Sequence, residues 1–438
     1  MKIAIVGGGI SGIATYLALR KHLSDASPPA SIVVYEALQS IDAAISARRG
    51  GFFLPPNGLR AIKSICADAE EYIRDQGRPC EAVTLRTSAG KSLGKLHAGR
   101  KTRYGIGQVA VSRAAVYESL LRELRPGVIC WGRKVRYVKE HGDCVKISLE
   151  DGSEDTVDVV IGADGLHSVA RKAIYPQSCS PRNELRLTAN GSAPLSALPA
   201  TLRIPVEQES AVLTFGAAGC FGYARMSRDD LMWWSTFPQH EVSIADTPLE
   251  QLRSRHARWQ SPIDTVEGRI FRDIIAPAAT EHAQLQSGPL SNLPFLPHWS
   301  SLSGSGRILL IGNTAHPIPL QVGQSLSCAV EDALTIALLL KHYRVSHRFS
   351  VEESLKRTGK AFEDLRMKRV RRILRVAQLS VKLLKSRKRW VQALRNCIIW
   401  IAQKLPEAMA DPLYRYDVEV EIAKYIPKSD CEPKVRRY

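Results

Sequence analysis

The 438-residue chain contains no Cys-x-x-Cys pair, and its nine cysteines are odd in number and scattered from Cys66 to Cys431. That argues against a zinc ribbon and a disulfide framework, so the thiols are read as reduced, the protein as cytoplasmic and the chain as having no metal site. Long apolar runs are missing too. IALLL (336–340) and CIIWIA (397–402) fall far short of the roughly 20 residues that cross a bilayer. There is no internal repeat or low-complexity tract, and MKIAIVGGG starts a strand so early that no signal peptide is expected. Acids are in short supply, 43 against 61 lysines and arginines, a net charge of +18. Such a surplus attracts phosphates, anionic lipid or acidic ligands without choosing among them. No nucleic-acid-binding module accompanies it, so no nucleic-acid partner is expected.

Hydrophobic residues (45%) and charged residues (24%) are at ordinary globular levels. KIAIVGG (2–8) is a buried-strand pattern ended by glycines, ISGIATYLALRKHL (10–23) has helical spacing, and SIVVYE (31–36) is a second strand, which makes a βαβ unit. Residues 83–96 read as a hairpin, 111–124 as a helix, 135–152 as an antiparallel meander and 156–165 as a strand meeting a glycine turn. From about 176 to 290 the texture is β-rich, with TLRIPV, AVLTFG, CFGYARM and LMWWSTF read as strands. RILLIG (307–312) restores the buried-strand texture, and beyond 330 the chain is helical and basic. The fold class is therefore α/β: a Rossmann-like nucleotide-binding domain (1–75, 101–175, 291–345) interleaved with a β-rich domain (76–100, 176–290) and followed by basic C-terminal helices (346–438).

Gly7-x-Gly9-x-x-Gly12 lies between the first strand and the first helix. Gly7 permits the turn, Gly9 admits a pyrophosphate against the backbone, and Gly12 lets helix and strand pack. The phosphate charge then meets the amide end of the helix, at Ser11 among others. Glu36 follows Gly12 by 24 residues, at the end of the second strand, where a carboxylate accepts both ribose hydroxyls of an adenosine. These features alone leave NAD and FAD both open.

Later segments separate the two. VVIGADGLHSVAR (159–171), with Asp164, Gly165, Ser168 and Arg171, and GNTAHPIPLQVGQS (312–325) resemble two signature runs of the class A flavoprotein monooxygenases, the para-hydroxybenzoate hydroxylase-like family. GGFFLPPNGLRAI (50–62) resembles that family's glycine-rich segment near the flavin, and Arg113 occupies the place of its FAD-contacting arginine. The resemblance spans roughly residues 1–380. It implies an FAD enzyme that takes NAD(P)H and O₂ and hydroxylates or epoxidises a small apolar or aromatic substrate through a flavin C4a-hydroperoxide, with secondary metabolism as a setting. It also implies FAD contacts at Arg49, Gly51, Asp164, residue 313 and the helix opening at Ser325 and Leu326. Two positions depart from the pattern: the usual aspartate is Asn313, and the usual third glycine of Gly-Gln-Gly is Ser325. A catalytically silent flavoprotein is the alternative reading.

Tyr223, Arg225 and Trp233 are candidates to line a substrate space between the β-rich segment and the flavin, and Tyr223 could orient substrate or position a proton. A sheet tyrosine that only packs is an equal reading. Arg48-Arg49 face the FAD phosphates or an incoming NAD(P)H, or form a solvated pair. His316 belongs to the turn, and His167-Ser168 sits in no Gly-x-Ser-x-Gly elbow. Residues 366–395 carry twelve Lys or Arg, with apolar positions recurring at Ile373, Val376, Val381, Leu384, Val391 and Leu394. The simpler reading is a helix that packs its apolar stripe on the protein. The alternative is a peripheral membrane contact.

Overall fold

The computed structural model describes residues 1–177, 182–217, 219–238, 247–279, 286–292, 294–318, 323–384 and 389–430. Its centre is a parallel five-stranded sheet in the order Ile308–Leu310, Val159–Gly162, Lys2–Val6, Ser31–Tyr35, Ile129–Cys130. Both faces of such a sheet are covered, which explains why these strands read as continuous apolar runs rather than alternating ones. Val6 pairs with Gly162 and Tyr35, and Gly162 with Leu310. This register brings the carboxyl ends of four strands to one edge, so the residues just beyond them (Gly7, Glu36, Asp164 and Asn313) follow at a single rim. In open parallel sheets that rim is where ligands bind.

A seven-stranded mixed sheet forms the second layer: Gln286–Asn292, Arg182–Pro194, Asp230–Pro238, Cys220–Arg225, Ala211–Phe215, Ala82–Thr87, Ser92–His97. A small three-stranded sheet links the two through Gly51–Leu54 and Val109–Ser112. The expected meander is present over 135–157.

Three local expectations need correction. TLRIPV alternates like a strand but lies in the helix Ala200–Gln208, where Leu202 and Val206, one turn apart, bury under the mixed sheet. Tertiary burial outweighs the local pattern there. The 111–124 segment is the end of a strand followed by a helix from Arg113 to Leu121, with Ser112 accepting the Ala115 amide at 3.0 Å as its cap. The single strand expected over 156–165 is split between two sheets at Asp158, whose carboxylate accepts the Lys2 amide at 2.6 Å.

Candidate active site

The glycine turn has the geometry its sequence demands. Gly7 sits at φ +103°, and a Cβ on Gly12 would lie 1.9 Å from the Gly7 carbonyl oxygen, so both positions require glycine. Gly9 differs: a Cβ there would meet nothing nearer than Arg48 Nη2 at 3.9 Å. The space above Gly9 is open at the start of the helix Ile10–His22, which suits a pyrophosphate. Ser11 lies beside Gly312, with its Oγ 3.7 Å from the Gly312 Cβ position, so the first and last motifs meet.

Glu36 is buried beneath this turn. Its Oε2 accepts the Gly8 amide at 2.7 Å and its Oε1 the Leu38 amide at 2.8 Å. Each oxygen keeps a free lone pair, so the carboxylate holds the loop and can still take ribose hydroxyls. Of the arginine pair, Arg48 rather than Arg49 reaches the turn. The Arg48 guanidinium lies 3.5 Å from the Tyr117 ring centroid and its Nη2 donates to the Gly8 carbonyl at 3.4 Å. Arg49 instead turns back to the Ser46 carbonyl at 3.2 Å. Tyr117, which no sequence motif marks, donates its hydroxyl to the Gly8 carbonyl at 2.9 Å.

Arg113 follows the strand Val109–Ser112, its amide donating to the Gly50 carbonyl at 2.9 Å. Burial lowers its pKa, and no acid among the described residues offsets this. A half-buried cation in that state is a seat for an anion or a polar ligand.

The two later motifs are latched together. Thr314 Oγ1 accepts the Gly165 amide at 2.7 Å and donates to Asp164 Oδ1 at 3.3 Å. Arg171 Nε donates to the Thr314 carbonyl at 2.7 Å and its Nη2 to the Asn313 carbonyl at 3.1 Å. Asp164 Oδ2 accepts the Val169 amide at 2.7 Å, and burial raises its pKa despite these donors. Asn313 and Ser325, the two departures from the family pattern, touch each other: Ser325 Oγ donates to Asn313 Oδ1 at 3.0 Å. The helix Ser325–Leu340 opens there, and the first amides of a helix, here those at Ser325 and Leu326, lack intrahelical acceptors. Residues 319–322 of the connecting turn lie outside the described residues.

That helix carries what the sequence reading missed. Glu331 and Asp332 are fully buried in it. Asp332 Oδ2 accepts the Gly312 amide at 2.9 Å and lies 2.6 Å from His316 Nε2. Arg366 closes the network from the next helix, with Nε 2.8 Å from Asp332 Oδ1 and Nη2 2.7 Å from Glu331 Oε2. Burial pushes both carboxyls up, but Arg366 with Arg369 on Glu331, and with His316 on Asp332, holds them below the usual range. Asn57 joins Glu331 Oε1 at 2.7 Å to Gln324 Oε1 at 2.9 Å. The signal was available: two adjacent acids inside an otherwise apolar helix need buried counter-ions.

The mixed sheet turns one face to this rim. Phe53, on the strand after Gly51, packs edge-on against Trp234 at 5.5 Å, and a Cβ on Gly51 would meet the sulfurs of Met232 and Met226 at 2.8 and 2.9 Å. Tyr223 and Trp233 alternate to the opposite face, in a separate core with Phe221 and Phe271. There Tyr223 donates to Glu209 Oε2 at 2.9 Å and is 1% exposed, and burial raises its pKa strongly. Arg225 Nη2 donates to the Arg228 carbonyl at 3.0 Å. Tyr223 and Trp233 thus turn away from the rim, contrary to the expectation that they face the flavin side, and Trp234, Met232 and Met226 turn toward it.

A Rossmann-like sheet with its glycine turn, and a mixed sheet set against its ligand rim, define a nucleotide-binding oxidoreductase. Open space at Gly9, the carboxylate at Glu36 and the unneutralised Arg113 fit a dinucleotide such as FAD. No family model matches the chain. Among curated proteins it is 27% identical over 381 residues to a 3-amino-4-hydroxybenzoate 2-monooxygenase of Streptomyces platensis, covering 85% of this chain and 86% of that one. It is 25% identical over 443 residues to a salicylate hydroxylase of Pseudomonas putida, covering 97% and 94%. Among solved structures it resembles Klebsiella pneumoniae HpxO complexed with FAD and uric acid (TM-score 0.74, 18% identity, 97% of each chain). It also resembles CtdE in complex with FAD and substrate (TM-score 0.77, 17% identity, 98% of each chain). With its motifs in order along the chain and these relatives spanning most of it, the protein is similar over most of its length to class A FAD-dependent monooxygenases and shares their fold.

Proposed function

We propose that the enzyme uses NAD(P)H and O₂ with FAD to place one oxygen atom on a small, neutral, largely apolar aromatic substrate. The supporting observation is the character of the rim-facing side of the mixed sheet. Phe53, Ala224, Met226, Met232 and Trp234 lie there, and the nearby polar side chains Asn190 and Ser192 carry no charge. An aromatic carboxylate would need a cation to offset its desolvation, and the side chains named here supply none. The Streptomyces platensis relative is a monooxygenase of a benzoate derivative, so this chain is read as having changed substrate charge while keeping the reaction class.

In this reading Gly7, Gly9, Ser11, Gly12, Glu36 and Arg113 hold the nucleotide. Gly51, Asp164, Asn313 and the amides at Ser325 and Leu326 surround the flavin end, with Arg48 taking the role expected of Arg49. Bound FAD supplies the oxygen-activating chemistry. The chain orients the substrate against Trp234 and Phe53, keeps water out with Met226 and Met232, and offers helix amides to negative charge near Ser325. Residues 1–75, 101–175 and 291–345 would form the flavin part, 76–100 and 176–290 the substrate part, and the cytoplasm is the proposed compartment. The test is a panel of matched neutral and carboxylated aromatics, with NAD(P)H oxidation and oxygenated product both quantified. Coupled turnover confined to neutral substrates is expected. Coupled turnover of salicylate-like acids alone overturns the substrate class, and flavin binding without any product returns the chain to the silent alternative.

A further inference from the structure

The helix Arg389–Ala402 is amphipathic the wrong way round for a protein in water. Its inward side is polar: Arg395, 3% exposed, donates to the Gly216 carbonyl at 3.0 Å, and Gln403 just beyond the helix donates to the Leu93 carbonyl. Among the described residues, Ile399 is the apolar side chain it adds to the mixed sheet's core there. The outward side carries Trp390 (66% exposed), Leu394 (48%), Ile398, Ile401 (51%) and, past the helix end, Leu405. Their spacing of four, four, three and four residues makes one continuous stripe. Trp400 and Met409 extend it.

We propose that this face seats the protein on an anionic membrane surface, the helix lying in the plane of the headgroups. Fourteen residues make about 21 Å of helix, too short to span an apolar layer of about 30 Å but suited to lying along it. No helix among the described residues is long and apolar enough to cross a membrane. The charge favours lipid over a second copy of the chain. Between Asp364 and Glu407 there is no acid, while thirteen Lys and Arg fall in the same stretch, and only Arg366, Arg369 and Arg395 of those with described side chains are buried. Two such surfaces repel each other, whereas a negative leaflet attracts one. Tryptophans at positions 390 and 400 and Lys404, 5.9 Å from the Trp400 ring, suit a headgroup boundary. The inner side of the helix rests on the end of the mixed sheet, so docking would bring that sheet next to the lipid.

The experiment is co-sedimentation of the full-length protein with phosphatidylcholine vesicles and with mixed phosphatidylcholine–phosphatidylserine vesicles, at low and high salt. The wild type is compared with the triple variant L394Q/I398Q/I401Q. These side chains are exposed, so the variant should keep its melting temperature and flavin content. Binding to the mixed vesicles is expected, weakened by salt, and at least about tenfold weaker in the variant. Binding that the variant retains in full overturns the proposal, as does absence of binding by the wild type. A salt-resistant dimer seen by ultracentrifugation without lipid and lost in the variant also overturns it, in favour of a second copy. Flavin binding and turnover play no part in the readout, so failure here and failure of the monooxygenase reading are distinguishable.

Discussion

The basic run after residue 364 behaves in two opposite ways. In its first part, on the helix Val351–Leu384, Arg366 and Arg369 are buried, paired with Glu331 and Asp332 and stacked 5.2 and 4.4 Å from the Tyr416 ring. In its second part, on Arg389–Ala402, the apolar side chains are the exposed ones. Ile373 is fully buried, whereas Val376 and Leu394, on the same expected stripe, are exposed. The side chains of Val381 and Leu384 lie outside the described residues. Helical spacing thus predicts a stripe but not what covers it. A charge goes inward where buried carboxylates wait for it, and an apolar face stays outward where the contacts beneath are backbone carbonyls.

The sharpest way to break this comparison is Arg366→Met against Leu394→Gln. Removing Arg366 takes the shared counter-ion from two buried carboxylates and leaves Glu331 with Arg369 and Asp332 with His316, a loss of about 3 kcal/mol of stability. The exposed Leu394 change should stay within about 0.5 kcal/mol. Chemical unfolding of both variants measures the contrast, and equal costs would erase it. The pH dependence follows from the depressed pKa values of Glu331 and Asp332. Groups whose folded pKa is lowered contribute stability that is present above the unfolded value, about 4, and lost as pH falls through the folded value. The gap between wild type and Arg366→Met is therefore expected to be widest near neutrality and to narrow on acidification.

A second contrast separates groups that are already satisfied from groups that wait for a ligand. Glu36→Ala removes the acceptor of the Gly8 and Leu38 amides and should weaken FAD by about 1–3 kcal/mol while loosening the protein without cofactor. Arg113→Ala should weaken FAD by a similar or smaller amount. Its cofactor-free form should hold or gain stability, because an unneutralised, half-buried cation is removed. Flavin titration and thermal melts of both proteins, with and without FAD, check this. A cofactor-free Arg113→Ala protein that melts well below wild type would show the guanidinium to be structural.

Much of this was legible in the sequence. The glycine turn, Glu36, the parallel strands and the motif order were readable because buried parallel strands are continuous apolar runs and because each glycine answers a local steric demand. Faces were harder to read. Tyr223 and Trp233 look like site residues, but LMWWSTF does not alternate cleanly, and which tryptophan turns to the rim depends on the partner strands. Arg48 and Arg49 are adjacent and alike, and a stack on Tyr117, 69 residues beyond Arg48, separates them. The charge network was hidden for the same reason: Arg366 lies 34 residues from Asp332, inside a run of basic residues that all look solvated.

The smallest expected effect concerns Asn313 and Ser325. The sequence shows two separate departures from the family pattern, and the structure joins them by one hydrogen bond. The Ser325 hydroxyl occupies a lone pair of Asn313 Oδ1, the atom through which a ribityl hydroxyl would be held. Ser325→Gly frees that oxygen and removes a Cβ from the helix opening, so it should tighten FAD slightly. Asn313→Asp places a carboxylate at the first turn of Ser325–Leu340, which the helix end favours, and makes the bond to the cofactor charge-assisted, by about 1 kcal/mol. A carboxylate has acceptor capacity for both Ser325 and the ribityl chain, so freeing it from Ser325 should add less. The double variant is therefore expected to fall short of the sum of the singles, with a coupling of about 0.5 kcal/mol or more. FAD titrations of the four proteins measure the coupling directly. Strict additivity would mean that the hydroxyl and the amide are neighbours without sharing a task, and that each departure stands alone.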